Sequence, residues 1–257
     1  MLQVRDMTPD DEYFVGTCSH VNESDELDAC GARRIEWLRK MKAKGFGAKV
    51  ALADGEHAGC IFYGPIDTGP WGVEGRDLTF IPCLWVLPDR QKHGAGRALV
   101  SAVEEQARRA STKGVATVGF HWDFWFMPAG FFQQLGYTET ARQGDAAILW
   151  KTFDDSAEAP SLRPRRYEFE PVPGIVAIDL FWTPFCQTSD IEAQRVREVA
   201  AEFGEAVVLR EYPADDPEAL ARFGIPRAIY VNGEEIGWGY EAPREGIREA
   251  IEKAMGE

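Results

Sequence analysis

The sequence has no long hydrophobic run, and no apolar stretch approaches the ~20 residues that a membrane-spanning helix needs. Its N-terminus lacks a basic segment followed by an apolar stretch, so no secretory signal is predicted. Cysteines number only five in 257 residues, an odd count without the close spacing of a zinc site. These absences predict a cytoplasmic protein with free thiols and argue against a disulfide framework.

Positive charge is also scarce, because 28 Lys and Arg stand against 42 Asp and Glu, for a formal net charge of −14. A strongly acidic chain repels phosphate backbones, so nucleic acid is not an expected partner. The lack of a spanning apolar run makes a membrane an unexpected partner as well. The acidity is compatible with a cationic acceptor, or it serves solubility alone. Hydrophobic residues make up 45% of the chain, which is enough to bury a core.

One segment, 153–166, has the composition of a linker, with acidic and basic residues, serines and two prolines but no apolar period. It divides the chain into a predicted domain over 1–152 and a second one over 167–257. Within the first domain, strand-like and helix-like segments alternate. This mixed α+β order predicts one central sheet.

The most informative stretch is 85–99, WVLPDRQKHGAGRAL, which predicts a strand, a tight turn and an amphipathic helix. Its turn has the pattern Gln91-x-x-Gly94-x-Gly96. A helix N-terminus offers backbone N–H groups and a favourable dipole to a pyrophosphate, and glycines let the backbone approach it. Arg97 and Lys92 can add charge, although both are also typical of a solvated surface. The glycines could alternatively mark a plain strand-to-helix turn.

On this motif, residues 1–152 resemble the GNAT family of N-acetyltransferases. A second stretch, 128–137 (PAGFFQQLGY), resembles the family's helix that ends in Leu-Gly-Phe/Tyr beside the CoA arm. The resemblance implies that acetyl-CoA is the co-substrate, with its phosphates on the loop and its thioester on the strand before it. The implied cofactor-binding residues are Leu84, Trp85, Val86, Gln91, Lys92, His93, Gly94, Ala95, Gly96, Arg97 and Phe132.

The resemblance also implies direct attack of an amine on the thioester, with a base, or a water chain, for the amine proton and an acid for the departing thiolate. Phe132 stands where the family often has a tyrosine acid, and a phenyl ring cannot donate a proton. Cys83 is therefore a candidate acid or acyl acceptor, and His121, or less favourably Asp123, a candidate base. A buried core cysteine and a structural histidine are the competing interpretations.

Between two predicted helices lies a polar stretch, 17–23 (TCSHVNE), in the position from which the family usually forms its acceptor pocket. Cys18, His20 and Cys30 could ligate a soft metal, but no fourth ligand has convincing spacing, so no metal site is predicted. The aromatic-rich segment 122–132 predicts core packing, part of which could line an acceptor pocket.

The second half orders its predicted elements as βαβ followed by α, β, β, α, which resembles the thioredoxin fold. Cys186 lies at the head of a helix, where the family keeps its reactive cysteine, and Pro226 where it keeps a cis-proline. Ser189 occupies the resolving-cysteine position, so no internal disulfide is expected. Cys186 is a candidate for a mixed disulfide or a thiol adduct; alternatively, the domain only docks or binds.

The predicted fold class is therefore α+β and α/β, a GNAT (acyl-CoA N-acyltransferase) fold followed by a smaller thioredoxin-like domain. This pairing resembles the YoaP-type acetyltransferases. The predicted function is transfer of an acetyl group from acetyl-CoA to the amine of a small molecule. The alternatives are a CoA-binding protein without chemistry and a thiol-handling protein that uses Cys186. The oligomeric state stays open, with a homodimer as one option.

Overall fold

The computed structural model describes residues 1–122, 126–237 and 241–256, and it divides the chain into two compact units, Met1–Leu162 and Arg163–Glu257. The division falls inside the predicted linker, 153–166. Ser161–Leu162 forms a short strand that pairs with Val73–Glu74, so the first unit continues beyond residue 152.

Within the described residues, the first unit contains nine strands: seven form one sheet with helices packed on it, and the short strands Val73–Glu74 and Ser161–Leu162 form a separate two-stranded sheet. Its strands are β1 (Leu2–Asp6), β2 (Gly47–Ala53), β3 (Glu56–Pro65), β4 (Val73–Glu74), β5 (Leu78–Val86), β6 (Gly114–Phe120), β7 (Thr138–Gln143), β8 (Ala146–Thr152) and β9 (Ser161–Leu162). Its helices are α1 (Glu12–Gly16), α2 (Asp25–Met41), α3 (Ala95–Arg109) and α4 (Ala129–Gln133). The sheet order is β1-β2-β3-β5-β6-β8-β7, and only β5 and β6 run parallel. The mixed sheet predicted for this region is thus confirmed.

Local sequence explains most of these elements. Asp54 and Gly55 join β2 to β3 with φ values of +52° and +91°, which suits the left-handed turn of a two-residue hairpin. Leu99, Val103 and Ala107 recur at helical spacing on α3 and are buried against the sheet. Full burial of a Leu or Val side chain contributes about 1.5–3 kcal/mol, so this face fixes α3 beside β5 and β6.

The second unit contains a four-stranded sheet of order β11-β10-β12-β13. Its strands are β10 (Val176–Trp182), β11 (Val207–Pro213), β12 (Ala228–Val231) and β13 (Glu234–Ile236), and its helices are α5 (Gln187–Glu202), α6 (Pro217–Phe223) and α7 (Arg244–Met255). β10 pairs parallel with β11 and antiparallel with β12. Residues such as Val176, Ile178 and Leu180 of β10 pack with α5 and α7 in an apolar core.

One expectation for this unit is wrong, because the peptide bond before Pro226 is trans. The trans form is the default even before proline, so the resemblance alone was not sufficient to predict the isomer. No helix within the described residues has both the length and the apolar character that crossing a membrane requires.

Candidate active site

The central feature of the first unit is a fork between its two parallel strands. β5 pairs with β6 over Leu78–Ile81, and within the described residues this ladder ends there. Pairing of β5 with β3 continues as far as Val86, while β6 continues along β8 to Phe120. The second half of β5 therefore has a strand partner on one side only, within the described residues; the unpaired side, between β5 and β6, is called the groove below.

Two residues explain where the fork begins. Pro82 follows the last paired residue of β5, and it has no N–H to donate to a ladder. Thr117, completely buried on β6, donates a 2.8 Å hydrogen bond from its hydroxyl to the carbonyl oxygen of Ile81. Sequence reasoning missed both residues, although a proline inside a predicted central strand was a usable signal.

A β-bulge at the same place changes which way β5 side chains point. Phe62 of β3 is opposite Cys83 and Gly64 is opposite Phe80, so Ile81 and Pro82 together face one residue of β3. Beyond the bulge, Leu84 and Val86 pack on the core beneath α3. Trp85 points to the other face, where its indole N–H donates a 2.7 Å hydrogen bond to the Ser19 hydroxyl. The loop 17–23 is thereby fixed over the forked end of β5.

The loop between β5 and α3 ends in an uncapped helix. Gly94 precedes α3 with φ +89°, and no side chain caps the helix. Lys92 also has a left-handed φ of +63°, whereas His93, between Lys92 and Gly94, does not. Alternation between left-handed and other backbone conformations turns successive N–H groups toward one side. Lys92, His93 and Arg97 are exposed around this helix start. The arrangement can bind an anion through backbone N–H groups and nearby positive charge.

Three predicted loop residues have roles that differ from simple phosphate contact. Gln91 donates from its side-chain amide to the Val86 carbonyl at 3.2 Å, so it ties the loop to the strand end. Ala95, the first residue of α3, is buried in the core of the first unit. A Cβ at Gly96 would lie 3.2 Å from the Phe131 ring, so this glycine permits close packing of α4 on the helix start.

Cys83 lies at the start of the forked segment and is buried. Its sulfur is in hydrogen-bonding contact with that of Cys18, from the loop 17–23. This hydrogen bond, together with burial, holds the pKa of Cys83 well above its usual value, so Cys83 is the thiol donor of the pair. Its proton is directed to Cys18, and the predicted acid or acyl-acceptor role of Cys83 stays a prediction.

His121 is not brought to this site. Its Nε2 lies 2.9 Å from an Oε of Glu139 and 2.8 Å from an Nη of Arg142. Both partners belong to β7, at the edge of the sheet beyond β8, whereas β5 lies on the opposite side of β6. These two contacts direct His121 away from the fork. Asp123 lies outside the described residues.

Phe132 lies in the core of the first unit, and its predicted part in cofactor binding stays a prediction. Its ring is completely buried in the core and packs edge-on against Phe131 and Tyr137, with centroids 5.0 and 5.6 Å away. The apolar ring gains more from burial than from contact with a wet groove. Phe131, which contacts Gly96, is the aromatic residue nearer the helix start.

The other candidates of the first unit contribute little to the site. Phe124 and Trp125 of the aromatic segment lie outside the described residues, while Trp122 stacks on Phe120 at 4.2 Å. Cys30 is buried in α2, and His20 pairs with Glu23 at 2.9 Å. In the described part of the chain, no group of three or more His, Cys, Asp or Glu side chains could hold a metal ion.

In the second unit, Cys186 is partly exposed and directly precedes the 16-residue helix α5. Ser189 is buried, and its hydroxyl accepts a 3.0 Å hydrogen bond from the Thr183 N–H. Arg227, next to Pro226, lies within electrostatic range of Cys186, and it pairs with Glu192 at 2.8 Å. The Ser189 side chain therefore supports the turn before α5, at whose start Cys186 stands.

A forked parallel strand pair followed by an uncapped helix is an arrangement suited to holding a phosphorylated thioester. Residues 9–137, half of the 257-residue chain, match the model of the acetyltransferase (GNAT) family. The protein is thus an acyltransferase enzyme by class. It belongs to the GNAT family of acetyltransferases.

Several solved structures are similar to this chain. A GNAT-family acetyltransferase from Desulfovibrio desulfuricans is 21% identical, with a TM-score of 0.46, and the match covers 59% of this chain and 99% of that one. A Brucella melitensis GNAT acetyltransferase in complex with acetyl-CoA is 20% identical, with a TM-score of 0.43 over 64% and 96% of the chains. The PaiA N-acetyltransferase of Thermoplasma acidophilum in complex with coenzyme A is 13% identical, with a TM-score of 0.42 over 60% and 99%. No curated protein sequence matches the chain.

Proposed function

We propose that the first unit binds acetyl-CoA in the groove beside β5 and transfers the acetyl group to the amine of a small molecule. The observation that carries this proposal is the end of β5–β6 pairing at Ile81, immediately before the loop that leads into the uncapped start of α3. At one end of the groove, backbone N–H and C=O groups of β5 have no strand partner on the β6 side in the described part of the chain. At the other end, the start of α3 can bind an anion. Acetyl-CoA has a polar pantetheine thioester arm for the first end and a diphosphate for the second.

The roles of the residues follow from this placement. N–H groups from Lys92 to Arg97 bind the diphosphate, and the exposed Lys92 and Arg97 side chains add charge. Backbone groups of Leu84–Val86 hold the pantetheine and the thioester carbonyl. An N–H directed at that carbonyl oxygen stabilises the negative charge that develops as the amine attacks.

In the reaction, the amine nitrogen forms a bond to the carbonyl carbon, the carbon–sulfur bond breaks, and CoA leaves as a thiolate. The amine proton passes to water or to a base. Because Phe132 cannot supply a proton, the departing thiolate takes its proton from solvent or from the Cys83 thiol. Departure without an acid is chemically reasonable because an ordinary thiol, with a pKa of ~8.5, gives a stable leaving group.

The acceptor side of the groove is the face covered by the loop 17–23, opposite α3. The hydrogen bond between Trp85 and Ser19 supports this choice, because it fixes the loop beside the proposed thioester. A net charge of −14 favours a cationic amine as acceptor. The five free cysteines suit a reducing compartment, so we propose that the enzyme acts in the cytoplasm.

Calorimetric titration with acetyl-CoA, followed by measurement of free CoA with a panel of small amines, tests the proposal. Binding together with amine-dependent release of CoA supports it. Absence of binding overturns it, and binding without release across the panel favours the alternative of a CoA-binding protein without chemistry.

For the second unit we propose a thioredoxin-like domain with Cys186 as its reactive group. Support comes from the strand order β11-β10-β12-β13, with β10 and β11 parallel, and from the position of Cys186 before α5. The combination of such a domain with a GNAT unit supports the YoaP-type assignment. A Cys186→Ser variant should retain acetyl-CoA binding and lose any thiol adduct seen by mass spectrometry, whereas loss of acetyl-CoA binding would contradict independent modules.

A further inference from the structure

The loop 17–23 presents a cysteine above a buried arginine. The Cys18 sulfur accepts a 2.6 Å hydrogen bond from an Nη of Arg34, a residue of α2 that is 1% exposed. The guanidinium itself stacks 4.2 Å above the Phe62 ring. A buried cation next to a sulfur stabilises the thiolate over the thiol.

A second sulfur completes the arrangement, because the Cys83 thiol donates a hydrogen bond to Cys18. The hydrogen bond from Cys83 and the charge of Arg34 together outweigh burial, and they hold the pKa of Cys18 well below its usual value. Cys18 and Cys83 thus share one proton, which stays on Cys83. Cys18 is also partly exposed as a residue, unlike the other cysteines of this unit.

The backbone holds Cys18 in this position at a cost. Cys18 and Ser19 have left-handed φ values of +50° and +72°, and each such residue costs on the order of 1 kcal/mol. The strain is sustained because α1 and α2 pack closely, since a Cβ at Gly16 would lie 2.8 Å from the Gly31 carbonyl oxygen. The Ser19–Trp85 hydrogen bond fastens the same turn to β5.

The remaining cysteines of the first unit lack this environment. Cys30 and Cys60 are completely buried. Burial, with the charge of the nearby Cys18 thiolate, raises the pKa of Cys60 to about 12, so Cys60 stays a thiol. Only Cys18, among the described cysteines of this unit, combines partial exposure with a stabilised thiolate.

We propose that Cys18 and Cys83 form a thiol-modification site that reacts with hydroperoxides, in which Cys18 is the attacking thiolate and Cys83 the resolving thiol. The Cys18 sulfur attacks one peroxide oxygen, the O–O bond breaks, and water or an alcohol leaves after protonation. Cys18 becomes a sulfenic acid. The Cys83 sulfur then attacks the Cys18 sulfur, a disulfide forms, and water leaves. The peroxide is reduced by two electrons, and the two cysteines are oxidised.

The two thiols are already hydrogen-bonded to each other, and a disulfide requires the sulfurs to close to a bond of about 2.05 Å. The disulfide would tie the loop 17–23 to Cys83, near the start of the forked part of β5. The disulfide would lie next to the part of β5 that is proposed to hold the thioester. The oxidation itself does not depend on acyl transfer.

The test uses the full-length chain carrying Cys186→Ser, reduced and then exposed to hydrogen peroxide at a few equivalents. Intact mass and peptide mapping after alkylation should reveal loss of two hydrogens and a peptide that joins Cys18 to Cys83. With Cys83→Ser added, oxidation should stop at a Cys18 sulfenic acid that dimedone traps. With Cys18→Ser added, the initial oxidation should slow at least tenfold, whereas Cys30→Ser serves as the matched control and should oxidise at the parent rate.

A measurement on the wild-type chain guards against variants that fail to fold. Peptide-resolved alkylation by iodoacetamide across pH should give Cys18 a midpoint well below that of an ordinary thiol, and a rate above that of Cys30 or Cys60 at neutral pH. Cys18 that alkylates no faster than Cys30 overturns the proposal. So does a disulfide to another cysteine, or over-oxidation of Cys18 without a crosslink to Cys83. Each of these readouts is separate from acetyl-CoA binding, so the proposed acyltransferase function can fail without affecting it.

Discussion

Thr117 and Ile81 meet where β5 and β6 separate, and the Thr117 hydroxyl donates a 2.8 Å hydrogen bond to the Ile81 carbonyl oxygen. The hydroxyl, on a completely buried side chain, satisfies this backbone acceptor at the last pair of the ladder. One side chain therefore makes it possible for two paired strands to diverge without an unsatisfied carbonyl at the fork.

Thr117→Val should lower the free energy of unfolding by about 1–3 kcal/mol, because it leaves the Ile81 carbonyl unpaired in the core. It should also weaken binding of acetyl-CoA, since the groove begins at this pair. Urea unfolding and calorimetry give the two numbers. Thr138→Val, at an exposed position of β7, is the matched control and is expected within about 0.5 kcal/mol of wild type. An equal loss in both variants would contradict the role of the fork.

Gly94→Ala should cost about 1–2 kcal/mol of stability, because φ +89° is unfavourable for any residue with a Cβ. The position is sterically open, so backbone strain is the cause. Relaxation of that strain would redirect the N–H groups before α3 and weaken CoA binding. Gly144→Ala in the β7–β8 hairpin, with φ +58° and equally open, separates the effects: it should lose similar stability and keep full CoA affinity.

Arg97→Gln should weaken CoA binding about tenfold, which corresponds to ~1.4 kcal/mol, because it removes a charge beside the proposed diphosphate. Raising the salt concentration should shrink the difference, since the exposed charge is screened. Arg109→Gln, at the opposite end of the same helix, should leave the affinity unchanged. Equal affinities of the two variants at low salt would remove Arg97 from the site.

Phe132→Tyr introduces the hydroxyl that the family often has at this position, yet we expect no increase in kcat. The ring is completely buried between Phe131 and Tyr137, so the new hydroxyl lacks solvent and should cost about 1–3 kcal/mol of stability. Steady-state kinetics and urea unfolding test both statements. Phe153→Tyr, at a partly exposed position, is the stability control, and a rise in kcat for Phe132→Tyr would mean that the ring faces the groove.

In the Asp11→Asn variant, the free energy of unfolding should decrease less steeply with falling pH than in the wild type. Burial opposes ionisation of Asp11, but hydrogen bonds from Arg5, Thr8 and His57 outweigh it and hold the pKa of Asp11 below its usual range. A depressed pKa stabilises the fold above the unfolded-state value, ~3.9, and that stability is lost as the pH falls toward the folded-state value.

Unfolding free energies measured between pH 7 and pH 2 should fall less steeply for Asp11→Asn than for wild type. At pH 7 the variant should be about 2 kcal/mol less stable, because hydrogen bonds to a charged group are lost. Exposed Asp10→Asn is the control and should follow the wild-type curve. If the plots of unfolding free energy against pH run parallel for wild type and Asp11→Asn, ionisation of Asp11 does not cause the loss of stability at low pH.

Elements with local signals could be predicted from sequence. The Asp54-Gly55 turn, the amphipathic spacing of α3 and the strand-turn-helix at 85–99 all appear near the expected positions. Short strands without such signals were missed, as with β4 and β9, because two residues carry no measurable period.

Side-chain placement at the site was less predictable. Alternation along β5 would put Cys83 on the same face as Ile81, but the bulge moves it to the opposite face, beside Cys18. His121 was a reasonable base by its position at the end of β6, and only its contacts with Glu139 and Arg142 turn it away. The positions of Cys83 and His121 both depend on contacts with residues that are distant in the sequence.

The sequence by itself determined the glycine-containing turn before α3, the proline that ends strand pairing and the apolar faces that bury the helices, because these follow from the backbone freedom and periodicity of adjacent residues. Tertiary structure alone decided that Cys18 lies on Arg34 and against Cys83, and that Thr117 meets Ile81. Such contacts join residues 16 to 65 positions apart. They form only when packing brings distant strands and helices together, and these contacts set the environment of the Cys18 thiol and the point at which β5 and β6 separate.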